Sequence, residues 1–185
     1  MSRARQLSFL PKTELSHGGD TRDGKRKIRR PFDPKRAMHL TLRSHRAQGQ
    51  WSMLKPGNKG QVIQILDRAS EKYHVSVHRF ANVGNHLHLL ISARTRKEFQ
   101  GFLRVLAGQI AFVITGAKKG APAKGGKFWD KLAYSRVVAA GRDFVNVSRY
   151  ISKNIWESLG IKREPWFSMR QRLLKPRKAS GLLRP

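Results

Sequence analysis

His86 and His88 are separated by a single leucine in the run Asn85-His86-Leu87-His88-Leu89-Leu90-Ile91. Side chains alternate along a β-strand. An extended run therefore puts His86, His88 and Leu90 on one face and the aliphatic Leu87, Leu89 and Ile91 on the other. Two neutral imidazoles at i and i+2 can converge on one divalent cation, for which histidine is the commonest protein ligand. The same pair also suits a half-exposed strand face that binds nothing. Tyr150 and Asn154 form the second pair of interest. Four residues apart on a helix, they stack on one side, at the margin of the apolar stripe Phe144, Val147, Ile151 and Ile155. Spacing alone leaves Tyr150 as an amphipathic boundary residue and Asn154 as a solvent-exposed one.

The elements that must position these residues are legible in the hydrophobic pattern. Ala37 to Arg43 alternates as a strand, with Met38, Leu40 and Leu42 on one side. Asn58 with Gln61 three residues on reads as a capping box. A helix follows it, with Val62, Ile63, Ile65, Leu66, Ala69 and Tyr73 recurring up to about residue 73. His74 to Ala81 alternates again, with Val75 and Val77 on one face, and Val83-Gly84-Asn85 is a tight connection into the His86 strand. The two strands are expected to form an antiparallel hairpin. Thr95 with Glu98 is a second capping box, ahead of a long helix with Phe99, Phe102, Leu103, Leu106, Ile110 and Val113 as its stripe. Lys118 to Lys127 is a basic, glycine-containing loop, and Tyr134 to Ala139 the last strand. Asp143 is the expected N-cap of a final helix running to about Leu159 and stopped by Gly160. The order strand, helix, strand, strand, helix, strand, helix predicts an α+β fold. Its first six elements fit a ferredoxin-like split β-α-β pattern, an antiparallel sheet with helices on one face.

Lys and Arg number 39 against 11 Asp and Glu, for a formal charge of +28. A charge of that size opposes compaction until a polyanion neutralises it, which points to nucleic acid. No apolar run approaches the ~18 residues of a spanning helix, and no signal-type apolar block opens the chain. Without cysteine there are no disulfides, thiolate nucleophiles or zinc–thiolate sites. A cytoplasmic, nucleoid-associated location follows. Residues 1–36 carry 11 of the cations, residues 156–185 carry 8 and the 119 between carry 20. The expected organisation is a flexible basic arm over 1–36, one domain over 37–160 and a basic tail over 161–185. The candidate nucleic-acid contacts are Lys25, Arg26, Lys27, Arg29 and Arg30 in the arm, Lys118, Lys119, Lys124 and Lys127 in the loop, and Arg149 and Lys153 beside Tyr150. Trp51, Phe128 and Trp129 are candidates for stacking on unpaired bases.

Asn85-His86-Leu87-His88-Leu89-Leu90 resembles the histidine–hydrophobe–histidine motif of the single-tyrosine HUH transposases, the IS200-like family. Tyr150-Ile151-Ser152-Lys153-Asn154 resembles the tyrosine helix of their REP-associated branch. The order of elements, the basic loop and the basic tail fit as well, and the resemblance runs over residues 37–160. It implies an HUH-type nuclease core in which His86 and His88 hold Mg²⁺ or Mn²⁺ and Asn154 adds an amide oxygen. Oxygen-rich sites with one or two imidazoles suit those ions. It also implies that Tyr150 attacks a phosphodiester of hairpin-bearing single-stranded DNA, leaving a 5′-phosphotyrosine and a free 3′-hydroxyl. An unperturbed phenol titrates near pH ~10, so the nucleophile needs the cation, or Arg149 or Lys153, to favour its phenolate. Tyr73 ends an apolar stripe and Tyr134 lies in a strand; Tyr150 alone has a polar ligand candidate one turn away. Between residues 37 and 155 only Asp67, Glu71, Glu98, Asp130 and Asp143 are acidic, too few for a carboxylate-built two-metal site.

The chain departs from the family at two places. Val83-Gly84-Asn85 stands where Met-Pro-Asn is usual, and Ile155 stands where a proline usually follows the asparagine. The alternative to an enzyme is the same fold kept as a catalytically silent binder of DNA or of structured RNA, ribosomal RNA included. In either case the protein is expected to be a monomer or homodimer.

Overall fold

The computed structural model describes residues 15–22, 29–117 and 126–160, with the backbone alone at 21 and 22. In chain order the elements are β1 (Ser16–His17), β2 (Ala37–Arg43), α1 (Pro56–Lys72), β3 (Ser76–Asn82), β4 (His86–Ser92), α2 (Arg96–Thr115), β5 (Tyr134–Val138) and α3 (Arg142–Ser158). Short 3-10 turns lie at Gly19–Arg22 and Gly49–Trp51. The strands form one sheet in the order β1-β5-β2-β4-β3, and every neighbouring pair is antiparallel.

The alternation in β2 and β4 decides how the layers form. Met38, Leu40, Leu42, Leu87, Leu89 and Ile91 point to one face and are buried there with Val62, Ile65 and Leu66 of α1 and Phe99, Phe102, Leu106 and Ile110 of α2. Fully burying each such side chain is worth about 1.5–3 kcal/mol, so this layer supplies most of the driving force. The opposite face carries a smaller cluster, in which Val147 and Ile151 of α3 cover Ala37, Ala81, Leu90 and Val138. The two crossover helices thus share a face, as expected. The last helix, whose face the sequence left open, packs on the other.

Boundaries differ from expectation where one residue's geometry overrides the pattern. Thr95 and Glu98 make both bonds of a capping box, but Asn58 does not cap α1. That helix starts at Pro56, whose fixed φ suits the first helical position, and the Asn58 amide donates instead to the carbonyls of Gln50 and Ser52. Asp143 lies inside α3, with Gly141 at the N-cap. Its carboxylate takes two bonds from Arg136 and one from the Ala139 N–H. β3 begins at Ser76 because His74, at φ 51°, closes the end of α1. A bulge after Val77 then shifts the register with β4.

Part of the expected basic arm is built into the domain. Ser16 and His17 pair with Arg136 and Ser135 at the sheet edge. Arg30 donates to the Ala133 carbonyl and to Ser135 Oγ, and Phe32 packs on Phe99 with ring centroids 5.6 Å apart. The tail over 161–185 lies outside the described residues.

Candidate active site

Because the core takes the even-numbered side chains of β2, the odd-numbered ones face α3. The register sets Thr41 opposite His88 and Arg43 opposite His86, with His39 opposite Leu90. Thr41 also lies opposite Tyr134 of β5. The apolar contact of α3 covers only part of this face. Beside it lies a pocket of about 770 Å³ whose lining includes His39, His86, His88, Tyr134 and Tyr150. Gly19 and Asp20 close one side of it, and Asp130 and Lys131 another.

The ring geometry is tight. His86 and His88 have centroids 4.7 Å apart at 87°, and Tyr150 stands edge-on to His88 at 5.3 Å. His39 lies parallel to His88 at 5.7 Å and 19°. It also meets Tyr150 edge-on at 6.0 Å and Tyr134 at 6.2 Å. Asn85 Oδ1 accepts from His86 Nδ1 at 2.6 Å, which leaves the Nε2 lone pair of that ring free. The Thr41 hydroxyl engages His88 Nδ1 at 3.2 Å, and His88 Nε2 is buried with no hydrogen-bond partner. With Nδ1–H donating to Thr41, His88 also presents a bare Nε2. Bonding at one ring nitrogen so that the other can ligate is the usual arrangement at metal-binding histidines.

Electrostatics keep these rings neutral. Burial, then the neighbouring His86 and His39, depress His88 to about 3. Burial, then Arg136, depress His39 to about 4, although Asp143 pulls the other way. Burial and Arg43 lower His86 as well. A neutral imidazole is the form that binds a metal, so the donor set suits a divalent cation.

The predicted site residues are only partly assembled. His86, His88 and Tyr150 share the pocket, while Asn154 is not in its lining. Asn154 Nδ2 donates to the Tyr150 carbonyl one turn back at 2.8 Å, an orientation that leaves Oδ1 unused by that bond. Among the described residues no three His, Asp or Glu side chains are grouped as a metal site. Of the basic candidates, Lys25, Arg26, Lys27, Lys118, Lys119 and Lys124 lie outside the described residues. Arg29, Lys127, Arg149 and Lys153 are exposed, Lys153 lying 3.6 Å from Glu157. Arg30 is half-buried and already committed to β5. The stacking candidates are also engaged: Phe128 is in the core, Trp129 donates from Nε1 to the Ala107 carbonyl, and Arg46 lies 4.7 Å over the Trp51 ring. Sequence reasoning missed His39, Thr41 and Tyr134. The signal was present for β2, since the alternation that buries Met38 and Leu40 turns His39 and Thr41 toward the His88 face.

A family model described as "Transposase IS200 like" matches residues 38–154, which take in both histidines and Tyr150. The chain belongs to this family of transposases. No curated protein matches it. Among solved structures it is similar to the REP-associated tyrosine transposase bound to a REP hairpin, at 13% identity and a TM-score of 0.54, over 86% of this chain and 94% of that one. It is also similar to a putative transposase from Deinococcus radiodurans, at 17% identity and a TM-score of 0.42, over 70% of this chain and 98% of that one.

Proposed function

We propose that this protein is a metal-dependent endonuclease and strand transferase acting on hairpin-bearing single-stranded DNA, with Tyr150 as nucleophile. The observation that carries the reading is the stacking of Tyr150 edge-on to His88, whose Nε2 is buried and bare, beside His86 in one open pocket. His86 and His88 would hold Mg²⁺ or Mn²⁺ through their Nε2 atoms, with Asn154 Oδ1 as third protein ligand. When bound, the cation supplies positive charge at the scissile phosphate. Arg43 borders the same pocket, as does Lys131, which is paired with Asp20 at 2.6 Å.

The Tyr150 oxygen forms a bond to phosphorus while the bond from phosphorus to the 3′ oxygen breaks. The tyrosine proton is lost and the leaving oxygen is protonated, giving a 5′-phosphotyrosine and a 3′-hydroxyl. Attack by another 3′-hydroxyl reverses the chemistry and joins strands without a nucleotide cofactor. Hairpin DNA as substrate is supported by what the REP-associated relative is bound to. The charge of +28 and the exposed Lys127, Arg149 and Lys153 fit a DNA-associated location.

One observation favours the second reading, a silent nucleic-acid binder: Asn154 stands outside the pocket lining. A labelled hairpin with an unpaired flank, incubated with Mn²⁺ and run on a denaturing gel, separates the two. A covalent protein–DNA band is expected from the native chain and none from Tyr150→Phe, which removes one oxygen and should keep hairpin affinity within a few-fold. His86→Ala should also abolish the band, through loss of metal. A band in Tyr150→Phe would mean that another residue attacks. No band from the native chain across many hairpins would favour the silent binder.

A further inference from the structure

One polar atom of the pocket has no role in the reaction described above. His39 Nε2 is buried and has no hydrogen-bond partner, in a residue only 9% exposed. Buried polar groups are nearly always paired in the working state, because leaving one bare forfeits its hydration for nothing. The cation does not answer the need. His39 stacks parallel to His88 rather than converging with it, and among the described residues no third imidazole or carboxylate completes a metal cluster. Arg136, opposite His39 on β5, already gives two N–H groups to Asp143. Two phenols remain beside the ring, those of Tyr150 and Tyr134.

Tyr150 is the one with a need of its own. It sits at the edge of α3 with 48% of its surface exposed. Edge-on contact with two imidazoles limits where its ring lies but does not clamp it, and the oxygen moves with the ring. In-line attack requires that oxygen to be held on the axis of the breaking bond. We propose that His39 is a positioning residue for the nucleophile: with DNA in the pocket, its Nε2 accepts a hydrogen bond from the Tyr150 hydroxyl and aims the phenol at phosphorus. The proposal rests on Tyr150 being the nucleophile. Burial on a central strand suits the task, because it fixes the ring. His39 need not take the proton. Its contribution is orientation.

The test separates the nitrogen from the ring. His39→Phe keeps a flat ring against His88 and removes the acceptor, whereas His39→Gln gives up the ring and offers an amide oxygen near the Nε2 position. The readouts are the single-turnover rate of covalent adduct formation at saturating hairpin, the hairpin Kd and the Mn²⁺ affinity. His39→Phe should lose roughly thirtyfold or more in rate, as misorientation does, with hairpin Kd and Mn²⁺ affinity little changed. His39→Gln should recover much of that loss. A native rate in His39→Phe would overturn the proposal. So would a His39→Gln variant no faster than His39→Phe, or a loss of Mn²⁺ affinity that accounts for the defect. If His39→Phe does not fold, the native chain decides: with ¹⁵N-labelled histidine in EDTA, hairpin binding should move the His39 Nε2 resonance, and in Tyr150→Phe it should not. The same shift in both would overturn the proposal. Absence of adduct from the native chain would instead overturn the nuclease reading, and the positioning role falls with it.

Discussion

At the scale of single residues, the pocket stores imidazoles that are neutral because they are buried, and this has a cost in acid. His39 and His88 titrate at about 4 and about 3 in the folded chain, below the ordinary histidine value of about 6.5. The unfolded chain therefore binds more protons as the pH falls below that value, and the folded state loses stability until its own histidines protonate. The full contribution is present above about pH 6.5 and is gone by about pH 3–4, a change of roughly 3 kcal/mol for His39 alone. Thermal melts in EDTA between neutral pH and about pH 4 should show a smaller fall in Tm for His39→Phe than for the native chain. Parallel curves would refute the assignment. The His86 and His88 pair was legible because the motif is compact and its aliphatic partners mark the other face. His39 was not, because attention to Met38, Leu40 and Leu42 selects the half of β2 that faces the core.

At the scale of elements, two sequence patterns of the same form had different fates. Thr95 and Glu98 cap α2; Asn58 and Gln61 do not cap α1, since Pro56 had already begun the helix. Thr95→Ala should therefore cost about 1 kcal/mol, read from a urea midpoint, and Asn58→Ala should leave the α1 N-terminus capped no worse than before. Gly101 makes a sharper case. In the middle of α2, alanine is favoured over glycine by about 1 kcal/mol of helix propensity. A Cβ there, however, would meet Tyr73 Cε1 at 2.3 Å and Cδ1 at 2.6 Å. Overpacking of that kind costs about 1–3 kcal/mol. Gly101→Ala should lower the urea midpoint, whereas Gly108→Ala, with nothing within 4 Å, should raise it. The layers were readable from periodicity. The glycine was not, because the ring that requires it, Tyr73 at the C-terminal cap of α1, meets it only after the helices pack.

At the scale of the whole molecule, the charge of +28 governs affinity more than any single contact does. Each phosphate neutralised on a single strand contributes about −0.7 to the slope of log affinity against log salt. Hairpin binding should therefore weaken about 300-fold or more between about 50 and 200 mM salt if at least six phosphates are neutralised. A slope shallower than about −2 would mean that few of the cations touch DNA. A blunt duplex of equal length should bind more weakly than a hairpin with an unpaired flank, and equal affinities would count against the proposed substrate. Composition made a polyanionic partner the expectation, but not its route across the surface. Several of the predicted contacts lie outside the described residues, and Arg30, on its face a free cation, is spent on β5.

β1 is two residues long, yet it is what separates β5 from solvent. Leu15 accepts from the Val137 N–H and Gly19 donates to the Leu132 carbonyl on either side of it. Gly18, at φ 80°, passes so close to Ala133 that a Cβ would meet that carbonyl oxygen at 2.2 Å. A chain trimmed to begin at residue 37, as the charge pattern would tempt one to cut it, loses the Gly19–Asp20 wall of the pocket. It also bares the outer rung of β5, a ready template for a strand from another molecule. Sedimentation of the trimmed protein should show concentration-dependent association stronger than that of the full chain, and a charged substitution on β5 should suppress it.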